Sequence, residues 1–164
     1  MSAFVITGIP GTGKTTVAKI LQDKGIKVYS LFEFAKEHNC LDKYDKRRDS
    51  WIIDDHKLIL ELTNYLSNQD KSTPIGFEGH YGDLVPSEFV TKCFVLEAST
   101  RDLEERLKTR NYSPAKIREN LDAQIFRECY YDAIEHFGED TVITFSSTDM
   151  SATEIASKIL NQIL

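Results

Sequence analysis

The string Gly8-Ile9-Pro10-Gly11-Thr12-Gly13-Lys14-Thr15-Thr16 constrains this chain more than any other feature. It fits G-x-x-x-x-G-K-[ST] and stands between the apolar run Phe4-Val5-Ile6-Thr7 and a segment with helical spacing, where such a loop must stand. Glycines let the backbone curl so that its N–H groups converge on phosphate oxygens, and the helix start adds positive potential. Within the string, the glycines, Lys14 and Thr15 are the candidate phosphate-site residues. Lys14 supplies a point charge to the β- and γ-phosphates, and Thr15 a hydroxyl ligand for Mg²⁺. ATP and Mg²⁺ are the expected cofactors. The Asn-Lys-x-Asp and Asp-x-x-Gly elements of a GTPase are absent from the sequence.

The rest of the chain reads as strands alternating with helices. Strands are expected at Phe4–Thr7, Val28–Tyr29, Pro74–Glu78, Cys93–Leu96 and Thr141–Phe145. Helices are expected over Lys14–Lys24 and Leu31–His38, then from an Asp54 cap to Leu66 and from a Ser99 cap through Leu107. A closing helix carries Ile155, Ile159, Leu160 and Ile163. The longest helix is expected to start at Ser113-Pro114 and to bury Ile117, Leu121, Ile125, Cys129 and Ala133, spaced every four residues. This alternation predicts an α/β fold, a parallel sheet covered on both faces. At 164 residues one domain over 1–164 is expected.

Composition narrows the function classes. With 20 Lys+Arg against 26 Asp+Glu, the net charge is −6, which argues against nucleic acid as the main anchor. Three scattered cysteines, Cys40, Cys93 and Cys129, form no CxxC pair and predict neither a zinc site nor a disulfide framework. The start, from Met1 to Thr7, has no basic leader, and no apolar run is long enough for a membrane span. A cytoplasmic protein is expected.

A small-molecule kinase needs a carboxylate near the metal, basic groups on the moving phosphate and an acceptor site. Glu78 ends a predicted strand and is followed by Gly79-His80. It suits Mg²⁺ held through water, and His80 suits positioning an attacking water or acceptor. Arg110 lies between two predicted helices, within reach of ATP phosphates. Plainer readings stay open for both: a turn for the triplet, a solvated side chain for the arginine.

The loop string, Glu78-Gly79-His80 and Arg110-Asn111-Tyr112-Ser113-Pro114-Ala115-Lys116-Ile117-Arg118-Glu119-Asn120 occur in an order and spacing that resembles the adenylate kinase isoenzyme 6 family. That resemblance spans nearly the whole chain. It implies a three-layer P-loop core of nucleoside-monophosphate kinase type, with a five-stranded parallel sheet. It further implies an acceptor segment over about residues 30–53 and a short lid over about 108–118. The implied activities are phosphoryl transfer from ATP to AMP and slower ATP hydrolysis. Implied too is a role in late small-ribosomal-subunit maturation through one of its proteins. By position, the resemblance implies that Gly11, Gly13, Lys14, Thr15 and Thr16 bind the ATP phosphates together with the lid arginine Arg110. It implies that Lys14, Glu78, His80 and Arg110 carry the catalytic roles, and that Thr15 and Glu78 hold Mg²⁺, the latter through water.

In the acceptor segment, Phe32-Glu33-Phe34-Ala35-Lys36 stand where adenylate kinases carry Gly-Asp-x-x-Arg, making Lys36 and His80 the implied acceptor-binding residues. Lysine lacks the two-pronged grip of arginine on a phosphate. Lys43, Lys46, Arg47 and Arg48 read as a solvated helix or loop face, or as a phosphate clamp or rRNA contact. Trp51 reads as a cap on the segment. Two other function classes remain: a ribosome-assembly ATPase for which AMP is incidental, and a kinase of another small acceptor.

Overall fold

A computed structural model of the chain describes residues 3–70 and 72–164. Met1 and Ser2, at the start read above for a leader, lie outside the described residues. Five strands, β1 (Ala3–Thr7), β2 (Lys27–Ser30), β5 (Ile75–Glu78), β6 (Val90–Glu97) and β7 (Val142–Ser146), form one sheet in the order β2-β5-β1-β6-β7. Every pairing in it is parallel. This is the predicted α/β sheet, with β1 between two strands that come later in the chain.

Alternation along β1 assigns the two faces. Phe4 and Ile6 point to the side covered by α1 (Lys14–Asp23) and α7 (Ala152–Ile163), where Val17, Leu21, Ile155 and Ile159 pack against them. Ala3 and Val5 point to the other side and meet residues of α2 (Leu31–Glu37), α3 (Asp55–Ser67) and α6 (Glu128–Phe137). Leu58, Leu62 and Leu66 of α3, four apart as predicted, are all fully buried there. Predicted caps form as hydrogen bonds: Asp54 accepts from Lys57 N, Ser99 from Asp102 N and Ser113 from Lys116 N.

Two departures from the sequence reading follow from local geometry. The long helix after Ser113 is broken into α5 (Pro114–Ile125) and α6. Steps of four residues advance about 40° beyond a full turn, so five of them cannot share one face of a straight helix. The break falls at Arg127, which takes a left-handed backbone, φ 53°. There its guanidinium donates to both carboxylate oxygens of Glu97, at 2.8 and 3.1 Å. Ile125, expected in the core, is 61% exposed.

The second departure lies at residues 41–53, expected as helix or loop. They form an antiparallel hairpin, β3 (Leu41–Asp45) and β4 (Ser50–Ile53), outside the main sheet. Asp45 Oδ1 accepts from Arg47 N and Arg48 N at 2.9 and 3.2 Å and ties the turn, which Asp49 closes at φ +50°. The charged cluster read above therefore straddles β3 and this turn.

Candidate active site

Ligands of open parallel sheets bind beyond the C-terminal strand ends, where neighbouring connections leave in opposite directions. Here that place is the end of β1, flanked by β5 and β6. The loop Gly8–Gly13 leaves β1 at that point and feeds into α1, whose N-cap Gly13 has φ 95°. That left-handed backbone is what glycine permits without strain. Gly8 is held for another reason: a Cβ there would stand 2.3 Å from the Leu96 carbonyl oxygen.

The loop's polar groups are turned inward. Thr12 Oγ1 and Lys14 Nζ both donate to Ile9 O, at 2.9 and 3.1 Å. Lys14 is 8% exposed, and its burial lowers the pKa from 10.5 to about 8 against the opposing pull of Glu78. Glu78 pairs in register with Ile6 across β5 and β1, so the strand end delivers it beside the loop. Its Oε1 accepts from Thr15 Oγ1 at 3.4 Å. Burial raises the Glu78 pKa, with Lys14 and Thr15 working against that rise. The predicted trio of Lys14, Thr15 and Glu78 is thus brought together. A hydroxyl and a carboxylate facing each other are hard oxygen donors of the kind Mg²⁺ takes alongside nucleotide phosphates and water. No cluster of three or more His, Cys, Asp or Glu that could hold a metal occurs among the described residues.

Two cavities border the loop. One, of about 400 Å³, is lined by Gly11, Gly13, Thr16, Arg106, Arg110 and Ile155 among others. The other, of about 550 Å³, is lined by Ile9 and Pro10, by His80 and Tyr81, by Phe32 of α2, by Tyr44 and Trp51 of the hairpin, and by Lys116 of α5. Arg110 is thereby placed on the first cavity and His80 on the second. Desolvation, followed by the cations of Lys14 and Lys116, holds the His80 pKa below 6.5. Lys36 is not among the residues of either cavity; its ammonium lies 3.9 Å from Glu33 on the exposed side of α2. Trp51 meets Tyr44 edge to face with centroids 5.5 Å apart, and forms wall of the second cavity.

The structure adds residues that sequence reading passed over. Arg106 donates to Gly11 O at 3.2 Å, to Ser147 Oγ at 2.9 Å and to Ser147 O at 3.1 Å, pinning the phosphate loop to the β7–α7 connection. Its only signal in the sequence was a second arginine one helical turn before Arg110. Lys116 donates to Asp49 O at 3.2 Å, and Arg48 lies 3.7 Å from Glu119, so two contacts join the hairpin turn to α5.

A family model described as an AAA domain matches residues 5–127. The protein called adenylate kinase isoenzyme 6 homolog FAP7, of Saccharomyces cerevisiae, is 34% identical over 146 residues, covering 88% of this chain and 72% of that one. The chain belongs to the adenylate kinase isoenzyme 6 family. An archaeal relative, named "Putative adenylate kinase" in Methanocaldococcus jannaschii, is 31% identical over 161 residues, 98% of this chain and 85% of that protein. Family members therefore match it through α6 and β7 as well as through the phosphate loop. A gluconokinase structure from Sinorhizobium meliloti superposes with a TM-score of 0.62 at 17% identity over 99% of this chain and 91% of that chain, which shows a shared fold. As a P-loop kinase of this family, the protein uses ATP, typically with Mg²⁺. No helix among the described residues is long and apolar enough to cross a membrane.

Proposed function

We propose that this protein is a nucleoside-monophosphate kinase that transfers the ATP γ-phosphate to AMP or a related monophosphate. The observation that carries this reading is the pair of cavities meeting at one phosphate loop, 400 Å³ on the Arg110 side and 550 Å³ on the His80 side. ATP takes the first, with its phosphates on the Gly11–Thr16 backbone. The acceptor takes the second, the segment of about residues 30–53 forming one wall. In-line transfer needs the two substrates on opposite sides of the moving phosphoryl group, and two cavities bordering one phosphate loop support that reading.

Catalysis then rests on position and charge. Lys14 and Arg110 offset negative charge on the transferred group, with residues about 108–118 serving as the short lid. Thr15 and Glu78 hold Mg²⁺, the latter through water. When bound, that ion neutralises phosphate charge and orients the nucleotide. His80, lowered in pKa and thus neutral near pH 7, orients the acceptor phosphate oxygen that attacks the γ-phosphorus as ADP leaves; with water in its place, slow ATP hydrolysis results.

A role in small-ribosomal-subunit maturation belongs to the same proposal through the family resemblance. The net charge of −6 supports a basic ribosomal protein as partner over rRNA. Coupled assays with AMP, CMP, GMP and UMP, each against a no-acceptor control, test the kinase reading. Acceptor-dependent ADP formation is expected, falling by about 10²-fold or more in Lys14→Ala, the scale of losing one transition-state charge contact. Rates that no monophosphate raises above the control would refute it.

A further inference from the structure

Lys116 is a cation in direct contact with a ring face and a backbone carbonyl. It sits half-buried in the first turn of α5, with Nζ 4.3 Å from the Tyr112 ring centroid and donating to the Asp49 carbonyl at 3.2 Å. Among the described residues it makes no ion pair, whereas Arg48 is matched by Glu119 at 3.7 Å and Lys36 by Glu33 at 3.9 Å. It lines the same cavity as Ile9 and Pro10 of the phosphate loop and as His80, and its charge acts on His80.

The other charges on that cavity wall make this cation decisive. Asp49, Glu119, Glu128 and Asp132 also line it and raise the cost of bringing in an anion. Arg48 is already paired, and Lys36 is absent from the wall. A ring face and a carbonyl oxygen are partners Lys116 can leave without stranding a buried countercharge.

We propose that Lys116 is the residue that recognises the phosphate of the acceptor monophosphate, in the role an arginine of Gly-Asp-x-x-Arg would fill from α2. The inference rests on the monophosphate-kinase reading above. On binding, the ammonium exchanges the Asp49 carbonyl for a phosphate oxygen, a shorter and stronger charge-assisted hydrogen bond.

Affinities for AMP and for adenosine, measured by calorimetry on the intact protein, test it with Lys116→Met, Lys116→Arg and Lys36→Met, alongside KM for AMP. Lys116→Met should weaken AMP by about 10- to 100-fold, the scale of one lost charge-assisted bond, and raise KM in step. Its adenosine affinity should stay within about twofold, because the nucleoside has no phosphate to lose. Lys116→Arg should recover most of the AMP affinity. Equal weakening of AMP and adenosine would overturn the proposal, reducing Lys116 to a tie between hairpin and α5. So would Lys36→Met producing the AMP loss in place of Lys116→Met. Failure of wild-type protein to phosphorylate any monophosphate would overturn the kinase reading, an outcome separate from these.

Discussion

Lys14, Thr15 and Glu78 meet because two strand ends bring them together. Lys14 and Thr15 follow the loop from β1, while Glu78 arrives from β5, 63 positions later than Thr15, and accepts its hydroxyl at 3.4 Å. His80 comes with Glu78, two residues on, and faces the cavity opposite Arg110. At the residue scale this separation of sides gives a kinetic signature. On the proposed reading, His80→Ala should reduce acceptor-independent ATP hydrolysis by on the order of tenfold more than transfer to AMP, since water would be held only by such contacts whereas the acceptor would be held by many cavity residues. Parallel steady-state assays of ADP release with and without AMP measure both, and equal losses would remove the special role of His80.

At the scale of elements, α7 shows how local chemistry supports the site. Ser151 and Glu154 form a capping box: Ser151 Oγ accepts from Glu154 N at 3.2 Å, and Glu154 Oε2 accepts from Ser151 N at 2.7 Å. The helix so started buries Ile155 and Ile159 against the α1 side of the sheet, and its first turn borders the 400 Å³ cavity. Ser151→Ala should cost about 1 kcal/mol of stability in urea unfolding. The hydrogen bonds from Ser151 hold the Glu154 carboxyl below its ordinary 4.5. A depressed folded-state value means its stabilisation is complete above 4.5 and is lost as pH falls through that lower value. The stability gap between wild type and Glu154→Gln should therefore hold steady near neutral pH and close in acid, as read from urea midpoints across a pH series.

For the whole molecule, the two cavities sharing one loop make ligand binding a source of stability. A ligand that binds only the folded state adds about 2.7 kcal/mol at 100 times its dissociation constant. For a chain of this length that raises the melting temperature by roughly 5–10 °C. ATP and AMP presented as one molecule, two adenosines joined by a phosphate chain, should raise it further than either nucleotide alone at the same concentration, because a ligand that fills both cavities has the lower Kd. A thermal-shift series in Mg²⁺ measures this. No extra shift from the joined ligand would mean that the two cavities do not fill together.

What could be read from the chain alone was whatever short-range pattern dictates. The glycine loop, the α3 leucines, the Ser and Asp caps and the strand ending at Glu78 all declare themselves within a few residues, because backbone geometry and helical or strand period act over that range. The family string at Arg110–Asn120 made the kinase class legible in the same way. Tertiary structure decided the rest. Arg127 turned left-handed because Glu97 of β6 was there to receive it, and that split a helix which periodicity alone would continue. The hairpin at Leu41–Ile53, which its mixed-charge sequence did not declare, is held by its own strand pairing and the Asp45 turn bonds, and touches α5 through Lys116 and Arg48. Which lysine lines the 550 Å³ cavity, Lys36 or Lys116, is a matter of how α2 and α5 pack about the sheet, and no spacing in the sequence encodes it.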